Sequence, residues 1–228
     1  MTDPGTIVVV ATPIGHLDDM SPRALAALES ADLIACEDTR RTGLMMHRLG
    51  INKRPLLSLH DHNERRRVPD ILERVSQGLT IALVSDAGTP LVSDPGYRLI
   101  RQAIAQGLGV EAIPGPSAPI VSLVLSGLPP HPFTFLGFAP PKKGARQRFL
   151  KQFADLGHTL ILFEAPHRLL SCLADVSEIM GDRGIAVARE LTKLHQEVVR
   201  GSVSEVLKNL ASRDKIKGET TVVIEGAG

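Results

Sequence analysis

The sequence predicts an α/β protein of two domains, the first built on a mainly parallel sheet and the second on a mixed sheet. Three apolar, β-branched runs each stop at a Gly/Pro-rich turn, as buried strands do in open parallel sheets. The runs are Ile7–Ala11, Ile81–Val84 and Val110–Ile113, and the turns are Thr12–Gly15, Ser85–Pro90 and Pro114–Ala118. Because ligands bind beyond the carboxyl ends of such strands, these turns are predicted to form the walls of a ligand cleft.

Strand and helix signals alternate through the first half, and the short connections between them favour a parallel sheet. Ser21 and Pro22 are typical of an N-cap and a first helical residue, so a helix is expected through Ala31. The other predicted elements are the strand Leu33–Cys36, a helix that Thr39 caps and Gly50 ends, the strand Leu56–Leu59, a helix from Asn63 to Gly78, the strand Thr80–Val84 and the helix Asp94–Gln106.

A domain boundary is predicted between about Gly115 and Pro132, since the consecutive prolines of the segment Gly127–Pro132 cannot lie inside a helix or a central strand. The first domain is assigned to residues 1–115, a linker region to 116–132 and the second domain to 133–228. The strand Glu197–Gly201 has no helix before it, which indicates a mixed second sheet. Its other predicted elements are the strand Phe133–Phe138, a basic loop with a helix to Leu156, the strand Thr159–Phe163, the helix His167–Met180, the strand Ile185–Arg189, the helix Ser202–Leu210 and the strand Thr220–Glu225.

The composition is that of an ordinary globular protein, with 228 residues of which 43% are hydrophobic. No apolar run approaches the roughly 18 residues of a membrane span. The segment Met1–Gly5 lacks the basic and apolar regions of a secretory signal. Cys36 and Cys172 lie in apolar stretches without a CxxC partner, which is typical of reduced core thiols in a cytoplasmic protein.

The net charge of +1 argues against a global attraction to nucleic acid, but the cations are unevenly distributed. Residues 139–151 contain five cations and no acid, and smaller clusters occur at Arg40–Arg41 and Arg65–Arg67. Such clusters either neutralise backbone phosphates or are simply solvated surface. Since the chain has no Trp and one Tyr, phosphate and shape contacts are expected to dominate any binding of RNA.

Two familiar cofactor motifs are absent: neither GxGxxG nor GxxxxGK[ST] occurs, and no G-x-S-x-G elbow suggests a hydrolase. Polar residues at the predicted strand ends leave two interpretations open. In one, Glu37, Asp38, His60 and His62 hold a catalytic metal, although no HExxH or Cys/His spacing supports it. In the other, the turns hold an organic cofactor and the polar residues face a second substrate.

Eight ordered strings carry a resemblance that spans nearly the whole chain. They are Thr12–Leu17, Glu37–Thr42, His60–Glu64, Val84–Pro90, Ser93–Tyr97, Pro114–Ala118, Pro166–Leu170 and Arg189–Lys193. In order and spacing they resemble the ribosomal RNA small subunit methyltransferase I family of the tetrapyrrole methylase superfamily. The resemblance implies an enzyme that transfers a methyl group from S-adenosyl-L-methionine to the ribose 2'-oxygen of a cytidine in the decoding region of 16S rRNA.

The resemblance also implies a tetrapyrrole-methylase-like fold with the cofactor between two domains. It further implies a cytoplasmic homodimer that acts on 16S rRNA or the small ribosomal subunit, without a metal and without a membrane. Carried over by position, the cofactor residues are Pro13, Ile14, Gly15, Asp86, Gly88, Thr89, Pro90, Val92, Ser117, Ala118, Phe163, Glu164, Leu191 and Thr220. The basic clusters supply the RNA-binding candidates Arg40, Arg41, Lys142, Lys143, Arg146 and Arg148.

A ribose hydroxyl is a weak acid, so a side chain that helps to remove its proton is expected near the acceptor. The candidates are Glu190 and Lys193, then Asp38, then His60, with salt bridges between the domains as the alternative role. His16 stands where the family more often has Asn. The sequence also ends at Gly228, where family members commonly continue into a small helical tail, so part of an RNA-docking surface is expected to be missing.

Two rival functions remain at this stage. One is a methylase that acts on a small tetrapyrrole, which would not need the basic segment. The other is an RNA-binding ribosome-assembly factor that has kept the fold without turnover.

Overall fold

The structure is a computed structural model and describes residues 5–228. The chain divides into two compact units, one ending at Ser117 and the other comprising Ala118–Gly228. Each unit contains a five-stranded sheet and four α-helices within the described residues. No helix in residues 5–228 is long and apolar enough to cross a bilayer.

The sheet of the first unit is entirely parallel, as predicted. Its strand order is β3-β2-β4-β1-β5. The strands are β1 (Thr6–Val10), β2 (Leu33–Cys36), β3 (Leu56–Ser58), β4 (Ile81–Val84) and β5 (Gly109–Ile113). Every residue of β2 and β4 is buried, because helices cover both faces of this sheet and leave its central strands no solvated side.

The helices of this unit are α1 (Pro22–Ser30), α2 (Thr39–Arg48), α3 (Glu64–Ser76) and α4 (Tyr97–Ala105). Ser21 caps α1 as predicted, since its side chain accepts a hydrogen bond of 3.1 Å from the Ala24 amide. The cap of α2 is Asp38 rather than Thr39. Helix α4 begins at Tyr97 rather than Asp94, because Gly96 has a φ of +118° that no helical residue adopts.

Alternate residues of the strands pack against helices on opposite faces of the sheet, so this unit has two separate cores. Val10 and Ile34 face the cluster that contains Leu28 and Met46 of α1 and α2. Ile7 and its neighbours face the cluster formed with α3 and α4. With both faces covered, the loops at the carboxyl edge are the part of the sheet left to contact a ligand.

The sheet of the second unit is mixed, as predicted, with the strand order β6-β7-β10-β8-β9. Strands β6 and β7 are parallel, and the other three neighbouring pairs are antiparallel. The strands are β6 (Phe133–Phe138), β7 (Thr159–Glu164), β8 (Gly184–Arg189), β9 (Glu197–Ser202) and β10 (Thr220–Ile224). The central strand β10 is buried along its whole length.

The helices of this unit are α5 (Ala118–Ser126), α6 (Lys143–Lys151), α7 (Leu169–Met180) and α8 (Val203–Ala211). Residues 116–132 are predicted from the sequence to be a linker region, but α5 occupies most of that range. Pro119 is tolerated because it lies in the first turn, where its missing N–H has no intrahelical partner. Leu123 packs α5 against Ile161 and Val223 of the sheet. Within this range, only residues 116–117 and 127–132 lack a helix or strand.

The basic segment is also different from the prediction, since most of its cations lie on a helix rather than in a loop. Lys142 precedes α6, and Lys143 is its first residue. The helix ends at Lys151, before the predicted end at Leu156. Lys, Arg, Gln, Ala and Leu are good helix formers, and this local preference continues the helix back through the cations.

Candidate functional site

The three Gly/Pro turns of the first unit meet at the carboxyl edge of its sheet. Strand β1 lies between β4 and β5, so the three turns follow three adjacent strands. Thr12 and Gly88 exchange two backbone hydrogen bonds, of 2.8 and 3.0 Å. Thr89 donates its hydroxyl to the carbonyl of Pro116 at 3.1 Å. The predicted walls therefore form one connected backbone surface.

Gly88 is required at the centre of this surface for two reasons. Its φ is +81°, which side-chain-bearing residues rarely adopt. A Cβ at this position would also lie only 3.3 Å from Cγ2 of Ile14 and 3.8 Å from the carbonyl oxygen of Pro116. The absence of a side chain thus leaves a cradle that a Cβ would begin to fill.

The loop after β4 stores backbone strain. Leu91 and Ser93 have φ angles of +72° and +68°, although neither is a glycine. Non-glycine residues in this region cost of the order of 1–3 kcal/mol each and cluster at ligand-binding sites. Val92, between them, is exposed. The loop that contains the predicted cofactor residues is therefore held in a specific, costly shape.

Asp86, at the start of that loop, is already occupied by partners from α2. Its Oδ1 accepts a hydrogen bond of 3.1 Å from the Asp38 amide, and its Oδ2 pairs with Arg41 at 3.0 Å. Pro13 and Ile14 are buried beside the loop, while Gly15 is exposed. These contacts hold the loop in place. Because the Asp86 carboxylate is already paired, the backbone groups of the loop are the groups available to a ligand.

Four of the predicted cofactor residues of the second unit lie at or just beyond the sheet edge where β7 and β8 end and β10 begins: Phe163, Glu164, Leu191 and Thr220. Thr220 lies opposite Glu164 in the β10–β7 register and donates its hydroxyl to the Glu164 carbonyl. The Glu164 carboxylate is fully buried and pairs with Arg168 at 2.6 Å. Phe163 packs edge-on against Phe135. Ala118 is the first residue of α5, and Leu191 is buried just after β8.

Glu190 and Lys193 contact each other within the second unit. Nζ of Lys193 lies 2.9 Å from Oε1 of Glu190 and 2.9 Å from Oε2 of Glu219. Burial opposes the charged form of Glu190, but hydrogen bonds from the Glu219 amide and from Lys193 outweigh it and lower the pKa. Burial likewise opposes the charge of Lys193, and its two carboxylate partners raise the pKa. Both groups are held charged, which suits holding the turn better than accepting a proton.

Asp38 is a weak base in this structure. Its Oδ1 accepts a hydrogen bond of 2.9 Å from the Arg40 amide, which caps α2. The Arg40 guanidinium also binds both carboxylate oxygens, at 3.1 and 2.8 Å. These hydrogen bonds hold the pKa of Asp38 well below its usual range.

His60 is oriented by Asn63. The Asn63 carbonyl accepts from the His60 amide at 3.0 Å, which directs the Asn63 amide nitrogen at Nε2 of the His60 ring, also at 3.0 Å. Since an amide nitrogen only donates, Nε2 accepts and the neutral ring carries its proton on Nδ1. Nδ1 is buried and has no hydrogen-bond partner within residues 5–228. Neutral His60 can therefore donate a proton from Nδ1, but neither nitrogen is free to accept one.

Two carboxyls that the sequence analysis did not select as proton acceptors have the appropriate electrostatics. Burial raises the pKa of Asp94 to about 6, against an opposing hydrogen bond with Ser85, and the charges of Glu37, Asp86 and Asp61 raise it further. Burial also raises the pKa of Glu37. The available signal was the position of these carboxyls after β2 and β4.

The described residues contain no preformed site for the catalytic metal considered from the sequence. Within residues 5–228, no group of three or more His, Cys, Asp and Glu side chains has the arrangement to hold an ion. The rings of His60 and His62 stand edge-on, with their centroids 6.0 Å apart.

Arg146 was predicted to bind RNA, and the structure contradicts this. Its side chain is buried and pairs with Asp175 of α7 at 2.6 Å. It also donates to the carbonyls of Pro141 and Ser171. The physical reason is its place on α6, on the face that packs against α7. Arg146 therefore joins two helices and cannot reach a phosphate.

The other RNA-binding candidates are exposed but differ in their partners. Arg40 and Arg41 pair with Asp38 and Asp86, as described above. Lys143 lies 3.4 Å from Glu178. Lys142 and Arg148 form no ion pair with any residue in the described part of the chain.

A family model described as Tetrapyrrole (Corrin/Porphyrin) Methylases matches residues 6–207, and the chain belongs to this family. The chain is 45% identical over 222 residues to the Ribosomal RNA small subunit methyltransferase I of Thermotoga maritima, covering 97% of this chain and 99% of that protein. The protein of the same name from Xylella fastidiosa is 47% identical over 229 residues, covering 100% and 84%. The resemblance predicted from the sequence is confirmed.

Solved structures agree on the fold. The methyltransferase CobJ has a TM-score of 0.71 at 20% identity, covering 98% of this chain and 95% of its own. A diphthine synthase has a TM-score of 0.73 at 17% identity, covering 97% and 89%. At these identities the likeness establishes the two-unit α/β fold alone.

Proposed function

We propose that the protein is an S-adenosyl-L-methionine-dependent methyltransferase of small-subunit ribosomal RNA, and that its acceptor is the 2'-oxygen of a cytidine ribose in the decoding region of 16S rRNA. The observation that carries the proposal is the identity of 45% and 47%, over nearly the whole chain, to two proteins named for small-subunit rRNA methylation. The choice of the ribose oxygen and of the cytidine rests on the family resemblance.

The turns of the first unit fit an organic cofactor. Their surface is built from backbone groups around Gly88, where a Cβ would intrude, and the strained loop beside it fixes its shape before any ligand arrives. Pro13, Ile14, Gly15, Ser117 and residues 86–92 would hold the cofactor on this unit. The resemblance assigns five further cofactor residues to the second unit: Ala118, Phe163, Glu164, Leu191 and Thr220.

The bound cofactor supplies an electrophilic methyl group. The residues of the chain must orient the ribose hydroxyl and take its proton. Asp94 is suited to the second task, because its carboxyl is ionised at neutral pH and binds a proton more readily than an ordinary aspartate. Asp38 is disfavoured by its pairing with Arg40, and Glu190 by its pairing with Lys193.

The remaining parts of the proposal are the cytoplasmic location and a homodimer, both of which follow from the resemblance. Light scattering of the purified protein tests the homodimer, with a mass near that of one chain as the contradicting result.

The decisive test is incubation with methyl-labelled S-adenosylmethionine and small subunits that lack the modification, followed by nuclease digestion of the rRNA. We expect label on the 2'-oxygen of one cytidine. A parallel reaction with a tetrapyrrole substrate tests the rival methylase. Absence of label in rRNA, with intact cofactor binding, would leave the assembly-factor alternative in place.

A further inference from the structure

The second unit contains a cationic recess that none of the predicted sites includes. It has a volume of about 470 Å³ and lies between the end of β8 and the segment that joins α8 to β10. Its lining residues are Arg189, Arg213, Asp214, Lys215, Ile216 and Lys217. We call this feature the β8 recess.

Two arginines of the recess share one carboxylate. Glu197 accepts from Nε of Arg189 at 3.1 Å and from both terminal nitrogens of Arg213, at 2.8 and 2.7 Å. The hydrogen bonds from Arg213, followed by that from Arg189, lower the pKa of Glu197 to about 2, so it stays ionised. One negative charge between two guanidinium groups leaves a positive excess at a fixed place in the wall.

Lys215 and Lys217 add two further positive charges. Both are exposed, and neither forms an ion pair within residues 5–228. Asp214 is the only acid among the lining residues of the recess. Even when Glu197 is counted with the wall, positive charge predominates.

The segment that carries the lysines is held in place by its surroundings. Nη1 of Arg189 donates to the Lys217 carbonyl at 3.2 Å. Two residues further on, Glu219 is bound by Lys193 of the turn after β8. Glu190 and Thr192 of that turn have φ angles of +51° and +61°. The loop geometry is therefore set before binding, which lowers the ordering cost of binding a ligand.

We propose that the β8 recess binds a backbone phosphate of the RNA substrate, with Lys215 and Lys217 as the contacting groups and Arg189 and Arg213 as the fixed positive wall. The inference rests on the proposed function, since it takes RNA as the substrate. A phosphodiester matches the recess because it is recognised by charge. A nucleoside triphosphate would call for a glycine-rich phosphate loop, and the sequence has neither common form of that loop.

The test is the salt dependence of RNA binding by the full chain and by the double variant Lys215→Gln/Lys217→Gln. The probe is unmodified 16S rRNA transcribed in vitro, titrated at several KCl concentrations. Each lost phosphate contact lowers the magnitude of the slope of log K against log salt by about 0.7–0.9, and the double variant loses the one proposed contact, so we expect a decrease of about 0.7–0.9. At 0.1 M salt this corresponds to binding weakened about 5- to 8-fold if affinity at 1 M is unchanged.

The matched control is Lys53→Gln/Lys208→Gln, which removes the same charge from two other exposed lysines that form no ion pair in the described chain. We expect the control to keep the wild-type slope, and Lys215→Arg/Lys217→Arg to restore it. Equal slopes for the Gln variant and the wild type, or equal losses in the Gln variant and the control, would overturn the inference.

Methyl transfer by the wild type separates this failure from failure of the proposed function. If the wild type labels rRNA while the Lys215→Gln/Lys217→Gln variant keeps its slope, only the β8 recess is rejected. If the wild type neither binds nor labels rRNA, the proposed function and the recess are rejected together. Circular dichroism of the variant establishes that it is folded.

Discussion

Replacing Gly88 by valine should weaken cofactor binding while the first unit remains folded. The left-handed φ of +81° costs a side-chain-bearing residue about 1–2 kcal/mol. A Cβ already lies 3.3 Å from Ile14, so the two methyl groups of valine add an overpacking cost of about 1–3 kcal/mol. The free energy of unfolding should therefore fall by about 2–5 kcal/mol. Urea denaturation measures this decrease.

The Gly88→Val variant should also have a lower affinity for S-adenosylmethionine. If the overpacking cost of about 1–3 kcal/mol applies to the bound state, the dissociation constant rises about 5- to 150-fold. Isothermal calorimetry on the folded variant measures this change.

Gly107→Val is the matched control for backbone strain. Gly107 has a φ of +70°, and nothing lies within 4 Å of its Cβ position. It should lose about 1–2 kcal/mol of stability and keep the wild-type affinity for the cofactor. A folded Gly88→Val variant that binds the cofactor as tightly as Gly107→Val does would refute the assignment of the cofactor to these turns.

Three further predictions concern pairing, protonation and metal. Arg146→Ala should lower the free energy of unfolding by about 3–5 kcal/mol, because it leaves Asp175 buried without its partner. The salt dependence of RNA binding should not change. Urea denaturation and RNA titration measure the two effects, and Arg148→Ala is the control at an exposed position. The folded-state pKa of Asp94, about 6, exceeds the unfolded value of about 3.9, so its contribution to stability is complete below pH 4 and is lost as pH rises through 6. Denaturation across that range should show the stability of the wild type falling relative to that of Asp94→Asn as pH rises. Methyl transfer should be unchanged by a chelator, and loss of activity that an added divalent ion restores would revive the metal hypothesis.

Much of the fold could be predicted because the informative signals are local. The apolar runs and the Gly/Pro turns that end them are short sequence features, and they locate the strands of the first sheet and the turns that meet at its edge. Helix α5 was not predicted, because Pro119 and the nearby Pro129, Pro130 and Pro132 give this segment the composition of a linker. The burial of this helix is evident only in the folded structure, where Leu123 packs against the second sheet.

The candidate site was less predictable because its electrostatics depend on residues far apart in the chain. The pairing of Arg146 with Asp175 requires the contact between α6 and α7. The raised pKa of Asp94 depends on its burial and on carboxyls that follow other strands. The sharing of Glu197 by two arginines likewise joins the end of β8 and the start of β9 to the loop after α8. Charge patterns alone cannot distinguish such paired groups from free ones.

The two backbone hydrogen bonds between Thr12 and Gly88 also determine at which point of folding the ligand-binding surface forms. They join segments that are far apart in the chain, and such non-local contacts form late. A slip of β4 by one residue against β1 would turn alternate side chains to the wrong face and separate the two turns. A ligand of these turns therefore binds only chains with the correct register. At a concentration one hundred times its dissociation constant it would stabilise them by about 2.7 kcal/mol, so a ligand-induced shift in melting temperature reports correct strand registration.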